Sequence, residues 1–153
     1  MKSILITGSS QGIGKGIALH FAKLGYHVYV TYHTHQELAR EVENEIITKG
    51  GTCTVLQMDV TSEESVIEGF KRVEERTGSL DVLVNSASID EKADLEHCTF
   101  DLWKEVTRVN IDGTFLCTKY ALPFLKKAED PNLIIIMSSL YERVDPEDPA
   151  IDL

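Results

Sequence analysis

Positive charge is in short supply in this sequence: 15 Lys and Arg stand against 25 Asp and Glu, a formal net charge of −10. Such a surface repels phosphate backbones and anionic lipid, so nucleic acid and membranes are not expected partners. Any phosphate that binds must be held locally, by backbone amides rather than by a basic patch. Cysteine is sparse and odd in number. Cys53, Cys98 and Cys117 lie at wide spacings that fit neither a disulfide framework nor a zinc site. Free thiols in a reducing compartment are expected, and no metal centre. Long apolar runs are missing too. The first, Ile4 to Ile6, soon meets Gly8, too short for a signal segment or a bilayer span, and no later stretch is long enough. A cytoplasmic location is the default expectation. There is no internal repeat and no low-complexity segment. What remains is a chain of 153 residues, 42% hydrophobic, consistent with one domain and a sizeable core.

The apolar pattern alternates between two periods. Ile4 to Thr7 reads as a buried strand ending in a tight turn, after which Ile13, Ile17, Phe21 and Leu24 recur at helical spacing up to Gly25. His27 to Tyr32, rich in Val and Tyr, is a second strand. Leu38, Val42 and Ile46 mark a second helix, stopped by Gly50 and Gly51. Thr52 to Met58 is a third strand, and Val66, Phe70 and Val73 a third helix. Thr61, with Glu64 three residues later, is its expected N-cap, and Gly78 its end. Leu80 to Val84 is a fourth strand. A polar stretch, Ser86 to Cys98, leads to a long helix from Phe100 to Lys127 with a break near Val109 and Asn110, and with Pro123 expected to kink or loosen it. Leu133 to Met137 is a fifth strand. Strand–helix alternation of this kind predicts an α/β fold: a Rossmann-like, doubly wound parallel sheet with right-handed crossovers. The domain is assigned to residues 1–140. Residues 141–153, with Pro146, Pro149 and five acids against one Arg, form an acidic loop or tail without periodicity.

Between the first strand and the first helix stands Thr7-Gly8-Ser9-Ser10-Gln11-Gly12-Ile13-Gly14. Gly8 suits a sharp turn, Gly12 leaves room for a pyrophosphate, and Gly14 allows close helix packing. The helix N-terminus then offers free amides and a partial positive charge to phosphates. A flexible turn without a ligand and an S-adenosylmethionine-binding fold are the rival readings. Three residues between the first two glycines fit the second rival less well.

These residues resemble the T-G-x-x-x-G-x-G signature of the short-chain dehydrogenase/reductase family. Later positions agree in order over residues 2 to about 140. Asp59-Val60 is similar to the pair that frames the adenine. Asn85-Ser86-Ala87-Ser88 resembles N-N-A-G with two of four positions changed. Asn110 matches the catalytic-site Asn, and Ser139 the catalytic Ser. The N-terminal half resembles the oxoacyl-carrier-protein reductase and sugar-dehydrogenase branches. The resemblance implies hydride transfer between a nicotinamide dinucleotide and a small-molecule carbonyl or secondary alcohol. It also implies a cofactor site drawing on Gly8, Ser10, Gln11, Gly12, Ile13, Gly14, Tyr32, His33, Asp59, Val60, Asn85, Ser86 and Ala87. Members are often dimers or tetramers, so a homo-oligomer is a further option. At the end of the second strand, Thr31-Tyr32-His33-Thr34 lacks the acid that would favour NAD, which leans the reading to NADP; Gln11, where many NADP-binding members carry Arg or Lys, leans the other way.

The family also uses a Tyr as general acid/base with a Lys four residues on, which brings a phenol of ordinary pKa near 10 into working range. That pair is expected about a dozen residues after Ser139, and no Tyr in these 153 residues has a Lys four positions later. The fifth strand would also be an exposed apolar edge. The sequence therefore reads as cut short: a fragment of a longer enzyme, a chain seen in part, or a natural half-domain that binds a dinucleotide or a partner without catalysis. The first two are favoured.

Overall fold

The computed structural model describes residues 1–91, 93–129 and 133–136. Ser139 and the acidic segment 141–153 lie outside them. Five strands, β1 (Ser3–Ile6), β2 (His27–Tyr32), β3 (Thr52–Gln57), β4 (Val82–Asn85) and β5 (Leu133–Ile136), form one parallel sheet in the order β3-β2-β1-β4-β5. The helices between them are α1 (Gly12–Lys23), α2 (Gln36–Thr48), α3 (Glu63–Arg76), α4 (Phe100–Thr107) and α5 (Gly113–Leu125). This is the doubly wound architecture expected, with boundaries moved by one or two residues.

Alternation along the strands explains why both faces are apolar. In β1, Ile4 and Ile6 pack into one layer with Ala18 of α1 and Ala39, Val42 and Ile46 of α2. Leu5 turns to the other face, where Val66, Phe70 and Val73 of α3 meet Cys117, Ala121 and Leu125 of α5. Every residue of β1, β2 and β4 is buried, as a sheet covered on both sides requires. Glycines with positive φ follow α1, α2 and α3, at Gly25, Gly50 and Gly78.

One local expectation is corrected. Ser62, not Thr61, caps α3, its hydroxyl accepting from the Ser65 amide at 3.3 Å. Thr61 is drawn instead to Asp59. The long helix is two helices joined by a π-helical turn, Arg108–Asp112, so the expected break spans five residues. Pro123 lies in the last turn of α5, and the helix ends two residues later. Burial keeps two of the three free thiols protonated, pushing Cys53 and Cys117 up to about 12.

At the N-terminal end of the sheet, His27 is fully buried between two threonines of β3: Nδ1 lies 3.1 Å from the Thr52 hydroxyl and Nε2 2.9 Å from that of Thr54. Burial, with nearby Arg76, holds its pKa below the ordinary imidazole value. The unfolded chain therefore takes up this proton first, and stability present above about pH 6.5 is lost as pH falls below it. The urea midpoint should drop between pH 7 and pH 5, and His27→Gln should remove part of that drop. An identical drop in the variant would show that His27 is not the group responsible.

Candidate functional site

In this strand order, β2 and β3 lie on one side of β1, and β4 and β5 on the other. The crevice beyond the C-terminal ends of β1 and β4 is the place where such sheets bind ligands. Here it opens into a cavity of about 810 Å³. The turn after β1 forms its floor. Thr7 donates its amide to Val84 O at 2.9 Å, and its hydroxyl oxygen accepts the amides of Ser86 and Ala87 at 3.0 and 2.9 Å. On the other side, the Gly8 amide donates to the Thr31 hydroxyl at 3.1 Å, and the Ser9 hydroxyl donates to Ile6 O at 2.7 Å. Thr31 closes the circuit through its amide, which donates to Ser9 Oγ at 2.9 Å.

Each glycine of the turn answers a different constraint. Gly8 has φ +63, and a Cβ there would stand 2.8 Å from the Ala87 Cα. Gly12 has φ +57 but faces open space, with nothing within 4 Å. A Cβ on Gly14 would lie 2.7 Å from Gly8 O, so it is the turn's own carbonyl, rather than the sheet, that demands this glycine. Gln11, the N-cap of α1, makes no side-chain capping bond, and no acid stands in the first turn. The positive pole of α1 is thus left without a side-chain partner, which suits an anion.

Of the residues named from sequence, Gly8, Ser10, Gln11, His33, Asp59, Val60, Ser86 and Ala87 line the cavity. Gly12, Ile13 and Gly14 begin α1 beside it. Tyr32 is placed differently: it is buried in the apolar layer beneath α1 and α2. Asn85 is also buried, and its side chain ties β4 to α5 rather than to the loop, Nδ2 donating to Thr118 Oγ1 at 3.2 Å. Its Oδ1 has no partner among the described residues.

Asp59 is tightly held. Oδ1 accepts from both the amide and the hydroxyl of Thr61, at 2.9 and 2.8 Å, and Oδ2 lies 3.6 Å from His33 Nε2. Burial alone would raise its pKa. The two Thr61 bonds, with His33 and Arg108 nearby, outweigh burial and hold the carboxyl below its usual range.

The far wall was missed by sequence reasoning. It comes from Asp101, Lys104, Glu105, Arg108 and Val109, and from Ser88 and Ile89 after β4. The signal was present: positions 101, 104, 105 and 108 share one helical face. Lys104 pairs with Asp101 at 2.7 Å, and Arg108 reaches Thr61 O at 3.4 Å. Asn110 stands behind this wall. Its Oδ1 accepts the Ile89 amide at 3.0 Å and its Nδ2 donates to Ile89 O at 3.1 Å. The π turn can sit this close because Gly113 lacks a Cβ, which would otherwise lie 2.7 Å from Val60 Cγ2.

The family model of short chain dehydrogenases matches residues 2–147 of the chain. The chain belongs to the short-chain dehydrogenase/reductase family. It is 37% identical over 137 residues to the 3-oxoacyl-[acyl-carrier-protein] reductase FabG of Staphylococcus aureus, covering 90% of this chain and 56% of that protein. It is 31% identical over 146 residues to the uncharacterized oxidoreductase YohF of Escherichia coli, covering 95% and 58%. A crystal structure of a dehydrogenase/reductase from Sinorhizobium meliloti 1021 superposes with a TM-score of 0.87 at 35% identity, over 94% of this chain and 56% of that one. This short-chain dehydrogenase/reductase chain thus spans somewhat more than half the length of the relatives it matches. Among its described residues, no helix is long and apolar enough to cross a membrane.

The paired bonds from Asn110 to Ile89 give a direct test of how the loop after β4 is fixed. Asn110→Asp keeps an acceptor for the Ile89 amide but sets a carboxylate against its carbonyl. It should cost about 1–3 kcal/mol of stability, and hydrogen exchange at the Ile89 amide should accelerate. Unchanged exchange would mean that the loop is held by other contacts.

Proposed function

We propose that this chain is the dinucleotide-binding half of an NAD(P)-dependent oxidoreductase acting on a carbonyl or secondary alcohol. The observation that carries the reading is the uncapped N-terminus of α1, set behind a turn fixed by Thr7 and Thr31 and opening onto the cavity. The fit to a dinucleotide is good: Gly12 leaves open space where a pyrophosphate would approach, and the Gly8–Ala87 contact admits no side chain. Gly8, Ser10, Gln11, Gly12, Ile13 and Gly14 would hold the pyrophosphate by backbone amides, which an acidic protein needs more than a basic one does. Asp59 and Val60 would frame the adenine, and Ser86 and Ala87 the nicotinamide-side ribose, with the buried Asn85 anchoring to α5 the strand that carries them. His33, beside Tyr32 at the end of β2 and without a neighbouring acid on that strand, favours NADP over NAD. The bound nicotinamide supplies the hydride chemistry. The protein's part is to orient it, to exclude water, and to polarise the substrate oxygen through Ser139. Asn110 organises the site through Ile89.

A homo-oligomer belongs to the same reading. Phe100, Trp103, Ile111 and Phe115 expose 72, 45, 62 and 62% of their surface along α4, the π turn and α5, an apolar display suited to a second copy. No Tyr in these 153 residues precedes a Lys by four. On that ground the 153-residue chain alone should bind cofactor and turn over little.

Isothermal titration of the purified chain with NADP+, NAD+ and S-adenosylmethionine tests the proposal. The two dinucleotides should bind and the third should not. Gly12→Asp, which sets a carboxylate at the helix pole, should weaken both dinucleotides about tenfold or more. Binding of S-adenosylmethionine alone would overturn the reading. Rapid ketone reduction by the same chain would overturn only the expectation of low turnover.

A further inference from the structure

We propose that Arg108 is a binding residue for the adenine base, its guanidinium plane closing one end of the cavity over that base. The inference rests on the dinucleotide reading above and deepens it. Arg108 is the first residue of the π turn, is exposed, and forms part of the cavity wall. Its Nη2 donates to Thr61 O at 3.4 Å, a long bond to the loop after β3, whose Asp59, Val60 and Thr61 line the same cavity. The side chain therefore spans from the π turn to that loop and straps this end of the cavity. Among the described residues it forms no ion pair with a carboxylate. A guanidinium carries five N–H donors, so most of those on Arg108 are free for a ligand.

The backbone presents this side chain from a fixed position. Val109 packs against the core, and Asn110 holds the Ile89 backbone through two bonds. Lys104, one turn earlier on the same wall, is engaged with Asp101 at 2.7 Å. Arg108 is thus the cation of this wall that a ligand meets without first breaking an ion pair.

A phosphate does not suit this end of the cavity. The anion-binding pole belongs to α1, which follows β1, and the loop after β3 lies two strands away in the order β3-β2-β1. Two strand spacings are about 10 Å, the range over which physiological salt screens exposed charges. The local charge is also wrong for a second phosphate: Asp59, Asp101 and Glu105 on the cavity lining outnumber Lys104 and Arg108. A flat, neutral heterocycle does suit it. Met58 and Val60 offer apolar contact on the same lining. Asp59 Oδ1 is occupied by Thr61, which leaves Oδ2 as the acceptor for an amino group. The guanidinium supplies a weakly hydrated plane that stacks on an aromatic face.

Isothermal titration of ADP and of inorganic pyrophosphate into the native chain, Arg108→Leu and Arg108→Lys tests the assignment. Pyrophosphate probes the pole of α1 alone, and ADP adds the base. Both substitutions should weaken ADP about fivefold or more and leave pyrophosphate unchanged. Lys should fail to rescue because it keeps the charge but not the plane. The inference is overturned if the Leu variant binds ADP as the native chain does, or if the Lys variant does. It is overturned too if pyrophosphate weakens in step with ADP, which would make Arg108 a charge acting on the phosphates or a support of the fold. Titration with NAD+ and NADP+ separates this inference from the reading beneath it. If the native chain binds either dinucleotide and both variants bind it equally well, the inference falls and the dinucleotide reading stands. If the native chain binds neither, both fall.

Discussion

The Thr7 hydroxyl oxygen accepts two consecutive amides, those of Ser86 and Ala87, and so binds the turn after β1 to the loop after β4. The crevice exists because these two loops, far apart in sequence, are held edge to edge while the helices that follow diverge to opposite faces. Each bond contributes only about 1 kcal/mol net. Together they also satisfy backbone amides that would otherwise meet the cavity wall without partners. Thr31 does the same work on the β2 side, receiving the Gly8 amide and donating its own to Ser9. The Gly8 position follows from this cross-bracing, since the clamp brings Ala87 so close that no Cβ fits between them.

Much of the fold could be read from the chain because its signals are local. A buried parallel strand needs continuous apolar residues, each helix needs a stripe at helical spacing, and a glycine ends each of the first three helices. The five strands and the helical segments carry these patterns plainly. What could not be read depends on neighbours distant in sequence. Ser62 and Thr61 are equally good caps on paper. Asp59 decides between them by taking both polar groups of Thr61. The close approach of Gly113, just after the π turn, to Val60 was likewise invisible, because the two residues lie more than forty positions apart.

The site was legible in its glycines and polar strand ends, and illegible where a side chain's direction matters. Tyr32 and His33 are adjacent on the chain and point to opposite destinations, one into the layer beneath α1 and α2, the other onto the cavity wall. Strand alternation alone allows that outcome but does not say which residue goes which way until the register with β1 and β3 is known. The charged residues from Asp101 to Arg108 carry no motif in the sequence. In the fold, Asp101, Lys104, Glu105 and Arg108 line the cavity.

That wall and the floor are mechanically linked. Asn110 grips Ile89 through both its acceptor and its donor, and Ile89 lies two residues beyond Ala87, which Thr7 holds. A rigid path therefore runs from the turn after β1, through the loop after β4, to the π turn between α4 and α5. A ligand that settles against the turn also meets a loop already fixed from behind, so little ordering remains to oppose binding. In a protein with ten surplus negative charges, that matters more than usual. For the phosphorylated ligand proposed above, the net charge offers no long-range attraction, and affinity would come from preorganised amides and one helix pole at contact distance.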